Sequence, residues 1–169
     1  MKALITGGSG CGKSAYGEEL ALRLSHGKRY YIATMRILDE ESLQKAERHR
    51  LRREGMGFET LERLKGLQSL PLERDSTLLL ECLPNWLANE MFDGGEPEAI
   101  LPALKALARV CRHTIVVTND IFLDGACYPA STQRYMETLA WLNREWAALA
   151  DVAVEVVYSI PVALKGVLP

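Results

Sequence analysis

The chain has 169 residues, 48% of them apolar and 25% charged, with 20 Lys and Arg against 22 Asp and Glu for a net charge of −2. That is the balance of one soluble unit, 1–169, with enough apolar material for its own core, and a near-neutral chain argues against a dedicated nucleic-acid binder. No apolar run reaches the roughly 20 residues that span a bilayer, and the start Met1–Thr6 meets glycine too soon for a secretory leader, so a cytoplasmic protein is expected.

Short β-branched or aromatic runs alternate with longer amphipathic segments, the pattern of a parallel sheet with crossover helices. Strands are predicted at Lys2–Thr6, Arg29–Thr34, Phe58–Leu61, Ser76–Cys82, His113–Thr118 and Val152–Ser159. Runs such as Leu78-Leu79-Leu80 and Ile115-Val116-Val117 suit strands buried on both faces. Helices are predicted at Ser14–Ser25, opened by a capping-type serine, and at Glu40–Arg53, Asn85–Phe92, Glu98–Cys111 and Ser131–Ala150. Asp93-Gly94-Gly95-Glu96-Pro97 reads as a surface loop, and Ile160–Gly166 as an irregular apolar tail. The cysteines Cys11, Cys82, Cys111 and Cys127 have no C-x-x-C spacing and read as reduced thiols; His26 and His113 read as structural.

Gly7-Gly8-Ser9-Gly10-Cys11-Gly12-Lys13-Ser14 fits G-x-x-x-x-G-K-[ST], directly after a predicted strand and opening a predicted helix. Glycines let successive backbone N–H groups turn toward a phosphate, and the helix N-terminus adds its positive end. In that setting Lys13 bridges the β- and γ-phosphates and the Ser14 hydroxyl holds Mg²⁺. Glu81, ending the buried run Leu78-Leu79-Leu80, would emerge at the carboxyl edge of the sheet, where a carboxylate can orient Mg²⁺ or its waters. The expected fold is therefore α/β, a P-loop NTPase of RecA-like type, with a mostly parallel sheet and helices on both faces.

Lys45-Ala46-Glu47-Arg48-His49-Arg50-Leu51-Arg52-Arg53 crowds cations around one histidine. Three readings stand side by side. The run is a solvated basic face, or an RNA contact lacking the usual aromatic platform, or the setting of a nucleophilic imidazole. In the third, neighbouring cations favour the neutral ring and stabilise charge building on a phosphate.

Taken in order, these blocks resemble the bifunctional adenosylcobinamide kinase / adenosylcobinamide-phosphate guanylyltransferase family of cobalamin biosynthesis. The resemblance rests on Ile5 to Ser14, Tyr31-Ile32-Ala33-Thr34 with Asp39-Glu40-Glu41, His49 in its basic helix, Leu79-Leu80-Glu81-Cys82 and Val117-Thr118-Asn119-Asp120. It implies two reactions. ATP or GTP phosphorylates the aminopropanol hydroxyl of adenosylcobinamide, and GMP then passes from GTP through a guanylyl-histidine to the corrinoid phosphate. By resemblance His49 and Lys13 are catalytic. Gly7, Gly8, Ser9, Gly10, Cys11, Gly12, Lys13 and Ser14 then bind nucleotide together with Thr34, Met35, Arg36, Arg50, Leu51, Arg52, Arg53, Glu62 and Glu81. Ser14 and Glu81 hold Mg²⁺, and the chain assembles as a homo-oligomer, a homotrimer.

The C-terminal third departs from the family pattern. Where members continue with Glu-Val-Gly-x-Gly-Ile-Val-Pro, this chain has Asp120–Pro129; in the next helix Glu137, Ala140 and Arg144 replace Asp, Gly and Gln, while Asn143 is kept. These changes bear on the acceptor, not on the nucleotide. Two other functions fit the phosphate loop: a different small-molecule P-loop kinase, and a non-catalytic GTP-binding regulator.

Overall fold

All strands join one seven-stranded sheet in the computed structural model, which describes residues 1–122 and 125–169, Lys45 without its side chain. In chain order the elements are β1 (Lys2–Thr6), α1 (Lys13–Leu24), β2 (Arg29–Ala33), α2 (Glu40–Arg52), β3 (Phe58–Glu62), β4 (Thr77–Glu81), α3 (Leu83–Phe92), α4 (Ile100–Val110), β5 (His113–Val117), α5 (Ala130–Leu149), β6 (Val152–Val157) and β7 (Ile160–Lys165). The spatial order is β3-β2-β4-β5-β1-β6-β7, with every neighbouring pair parallel except β6 and β7.

Alternation along the strands divides the core. Leu4, Ile32, Leu78, Leu80 and Val116 pack toward Trp86, Leu104, Leu142 and Trp146 of α3, α4 and α5. Ile5, Tyr31, Leu79, Ile115 and Val117 pack toward Tyr16, Leu20 and Ala21 of α1. Each fully buried side chain of this kind is worth about 1.5–3 kcal/mol, so the two layers fix the sheet with α1, α3, α4 and α5 as one unit. Gly17 lets α1 come close, because a Cβ there would meet Leu79, Val117 and Ile5 side chains at 3.3–3.4 Å. The helix that follows the phosphate loop is thereby pinned over the centre of the sheet. The strand ending in Glu81 stands one strand away from β1, across β5.

Three expectations are corrected. The apolar tail is a strand: β7 pairs antiparallel with β6 through a turn at Tyr158-Ser159, whose φ values of 49° and 64° are both positive. A type I′ two-residue turn has that left-handed pair, normally announced by Asn-Gly, and neither Tyr nor Ser announces it. Pro161 is tolerated because β7 is an edge strand. Secondly, α1 is not capped by Ser14; its N-cap is Gly12 in the left-handed region, without a side-chain cap. Thirdly, Glu98 lies in a short 3₁₀ turn, Pro97–Ala99, before α4 begins at Ile100.

The hairpin turn supports the phosphate loop. The Ser159 N–H donates to the Cys11 carbonyl at 2.8 Å, and Gly12, with φ of +97°, faces Ser159 so closely that a Cβ would lie 2.6 Å from its Oγ. Gly12→Ala is therefore expected to lower stability by about 1–3 kcal/mol and to weaken nucleotide binding. Thermal denaturation and nucleotide titration measure both; a variant with wild-type values of each would refute the seating.

Candidate nucleotide-transfer site

The chain leaves β1 through Gly7–Gly12 and enters α1 with its first amides uncapped by any side chain. A helix start of this kind, opened by glycines, leaves N–H groups to an anion. Lys13 is buried and its ammonium donates to the Gly8 carbonyl at 2.8 Å, so the loop folds around its own cation. One residue on, the Ser14 hydroxyl donates to Glu81 Oε1 at 2.6 Å. The serine predicted as a cap thus spends its hydroxyl across the site instead.

Glu81 ends β4 between β2 and β5. Its Oε2 is buried and has no hydrogen-bond partner among the described residues. Burial pushes the carboxyl above the ordinary carboxylate range, opposed by the Ser14 hydrogen bond and the Lys13 charge. A buried carboxylate oxygen left unsatisfied beside a hydroxyl is a hard-oxygen pair that suits Mg²⁺. That ion takes one or two protein oxygens and completes its shell with phosphate and water. The pair fits this pattern, and among the described residues no group of three or more His, Cys, Asp or Glu could hold a metal ion.

The second predicted stretch is divided. Thr34 is fully buried and its hydroxyl donates to the Cys82 carbonyl at 2.8 Å while accepting the Cys82 N–H at 2.9 Å. It braces the cis Glu81–Cys82 junction, so its side chain works on the wall behind Glu81. Met35 is half-buried. Arg36 is exposed and pairs with Asp93 at the end of α3, Nη1 to Oδ1 at 3.0 Å. Glu62 ends β3, and both Glu62 and Glu81 register against Ala33. The two carboxylates therefore flank β2 at the same level of the carboxyl edge, with Glu62 exposed.

The basic helix is α2. Asp39 and Ser42 form a capping box that starts it. Its inner side is Ala46, His49 and Arg53, spaced as one helical face, while Arg50 and Leu51 are exposed. Arg53 is buried, with its guanidinium 3.4 Å over the Tyr31 ring. Arg52 forms a fork with Glu18 of α1, Nε to Oε2 at 2.7 Å and Nη2 to Oε1 at 2.9 Å. The same Nη2 lies 3.4 Å from His49 Nδ1. The four residues predicted at positions 50–53 therefore have three fates: Arg50 and Leu51 face outward, Arg52 is clamped, and Arg53 is interior. Glu18 escaped sequence reasoning. The signal for it was present in its place one helical turn after Ser14, on the phosphate-loop helix of a chain with surplus arginines nearby.

A family model described as cobinamide kinase / cobinamide phosphate guanyltransferase matches residues 3–164. The chain belongs to this family. Two relatives are each named bifunctional adenosylcobalamin biosynthesis protein CobU. The one from Escherichia coli strain K12 is 29% identical over 98% of this chain and 100% of its own length. The one from Salmonella typhimurium strain LT2 is 30% identical over the same shares. Among solved structures, the flagellar accessory protein FlaH from Methanocaldococcus jannaschii is similar in fold, with a TM-score of 0.55 and 13% identity over 98% of this chain and 78% of that one.

Within this family member the altered C-terminal positions separate by role. Asn143, which is kept, accepts the Thr118 hydroxyl at 2.8 Å and so anchors the end of β5, while Glu137 and Arg144 are exposed on α5. Of the altered loop Asp120–Pro129, Leu123 and Asp124 lie outside the described residues. No helix among the described residues is long and apolar enough to cross a membrane.

Proposed function

We propose that this chain performs both reactions named for its family, phosphorylating adenosylcobinamide with ATP or GTP and then transferring GMP from GTP to the corrinoid phosphate through a guanylyl-histidine at His49. The supporting observation is the joining of two devices: a phosphate loop with Lys13 and the Ser14–Glu81 pair, and a histidine helix tied to that loop's own helix through Glu18. A kinase alone needs the first and has no use for a histidine held on the inner face of the second.

In the kinase step the loop amides and Lys13 hold the triphosphate and neutralise charge that grows as the γ-phosphoryl group leaves for the acceptor hydroxyl. In guanylyl transfer the neutral His49 ring attacks the α-phosphorus. A nitrogen–phosphorus bond forms, the bond to the bridging oxygen breaks, and pyrophosphate departs with that electron pair. The corrinoid phosphate oxygen then attacks the same phosphorus and returns the electron pair to the imidazole. Ser14 and Glu81 would hold Mg²⁺, which supplies charge neutralisation at the phosphate oxygens when bound. Glu62, beside Glu81 on the carboxyl edge, and the exposed Arg50 are the groups we assign to the guanosine and its phosphates.

The family resemblance implies a homotrimer, and β7 supports assembly through its outer edge. It is a sheet edge on which Ile160, Val162 and Leu164 are exposed, a surface that isolated chains usually blunt with charge.

The deciding experiment incubates the protein with adenosylcobinamide and GTP and weighs the corrinoid product. Mass gains of one phosphate and then one GMP are expected. A phosphate gain alone would leave a kinase, and no gain with a folded, GTP-binding protein would leave a nucleotide-binding regulator.

A further inference from the structure

Helix α2 contributes no residue to either apolar cluster among the described residues. Its hold on the body is polar, and the centre of that hold is a carboxylate from another helix. Glu18 is 1% exposed. Both its oxygens accept from Arg52, and Arg53 Nη1 lies 4.0 Å from Oε1. A buried acid with such neighbours is costly to leave unpaired, so the fork is held firmly.

We infer that Glu18 is a positioning residue for guanylyl transfer, fixing Arg52 and, through Arg52, the tautomer and placement of His49. The inference rests on the guanylyl-histidine reading above. A guanidinium can only donate, so the ring nitrogen that meets it must accept. With Arg52 Nη2 at 3.4 Å from His49 Nδ1, the neutral ring has its lone pair on Nδ1 and its proton on Nε2. A guanidinium stays protonated across the working pH range, so the donor persists, and the Glu18 hydrogen bonds raise Arg52 further above its ordinary value. The arrangement runs from the phosphate-loop helix to the nucleophile in two contacts: Glu18 to Arg52, and Arg52 to His49. Bound phosphate oxygens would compete for the same guanidinium, which links nucleotide arrival to release of the Nδ1 lone pair.

The test is Glu18→Gln, which keeps shape and removes charge, read in two ways. Nitrogen-15 NMR of the His49 ring in the nucleotide-free protein reports the tautomer; the wild type is expected to show protonated Nε2 and the variant the mixture of a free imidazole. Label transfer from α-labelled GTP at saturation is expected to fall about tenfold to a hundredfold, as for a displaced reacting group, with KM for GTP within about threefold of wild type. Arg52→Gln, at a partly exposed position, should show the same tautomer change if the first variant fails to fold. Wild-type tautomer in a folded variant, or undiminished label transfer at saturation, overturns the inference. A wild-type protein that takes no label at His49 would overturn the guanylyl-histidine reading and with it the part of Glu18 in that reaction, while the tautomer measurement would separately show whether Glu18 sets the His49 ring.

Discussion

Lys13→Ala is expected to abolish both activities while the protein stays folded. The ammonium sits at the centre of the phosphate loop, bonded to the Gly8 carbonyl, and no other lysine or arginine belongs to that loop. Charge develops on phosphate oxygens whichever bond breaks, the γ-phosphoryl bond in one reaction or the α-phosphoryl bond in the other. A positioned group that stabilises such charge is typically worth about 10²–10³ in rate. Losing it from a site shared by both reactions should therefore depress both together. The fold should persist, because the apolar clusters do not include Lys13 and water can take over the freed carbonyl. Product formation in the kinase and guanylyl assays, alongside a thermal denaturation curve, measures this. Near-wild-type turnover in either assay would remove the phosphate loop from that reaction.

The parts of the site legible in the sequence were those whose chemistry is local. Gly7 to Ser14 announce a phosphate loop because one strand, one turn and one helix start suffice to build it, and Glu81 announces itself as the polar end of a buried strand. Elsewhere the signal is tertiary. The Glu18–Arg52 fork joins residues 34 positions apart, and no local pattern distinguishes Arg52, clamped, from Arg53, stacked on Tyr31, or Arg50, in solvent. Thr34 sits in the right block, yet its hydroxyl is turned inward to Cys82 by the pairing of β2 with β4. The strand β7 stayed hidden because its turn is built from Tyr158 and Ser159 in a conformation that sequence normally assigns to Asn and Gly. The inner strands were legible for the opposite reason: β1, β4 and β5 are buried on both faces and almost wholly apolar, so they stand out from the amphipathic helices between them.

His49→Ala should separate the two activities. Guanylyl transfer by the route proposed needs an imidazole lone pair to form the nitrogen–phosphorus bond; with a methyl group there, the covalent intermediate cannot exist and that activity should vanish. The kinase step passes a γ-phosphoryl group straight to a hydroxyl and depends on the loop, Lys13 and the Ser14–Glu81 pair, none of which the substitution touches. It should survive in part, reduced only as far as α2 also steadies the nucleotide. The helix itself should remain, since its capping box and the Arg52–Glu18 and Arg53–Tyr31 contacts are intact in the variant, and alanine favours helix over histidine by a few tenths of a kcal/mol, about 0.5. In the wild type, the label from α-labelled GTP should be acid-labile, as a phosphoramidate is, and should map to His49. If the variant still makes GDP-cobinamide, or the label maps to Lys13 or another residue, the basic helix is a phosphate clamp and its histidine is not the nucleophile.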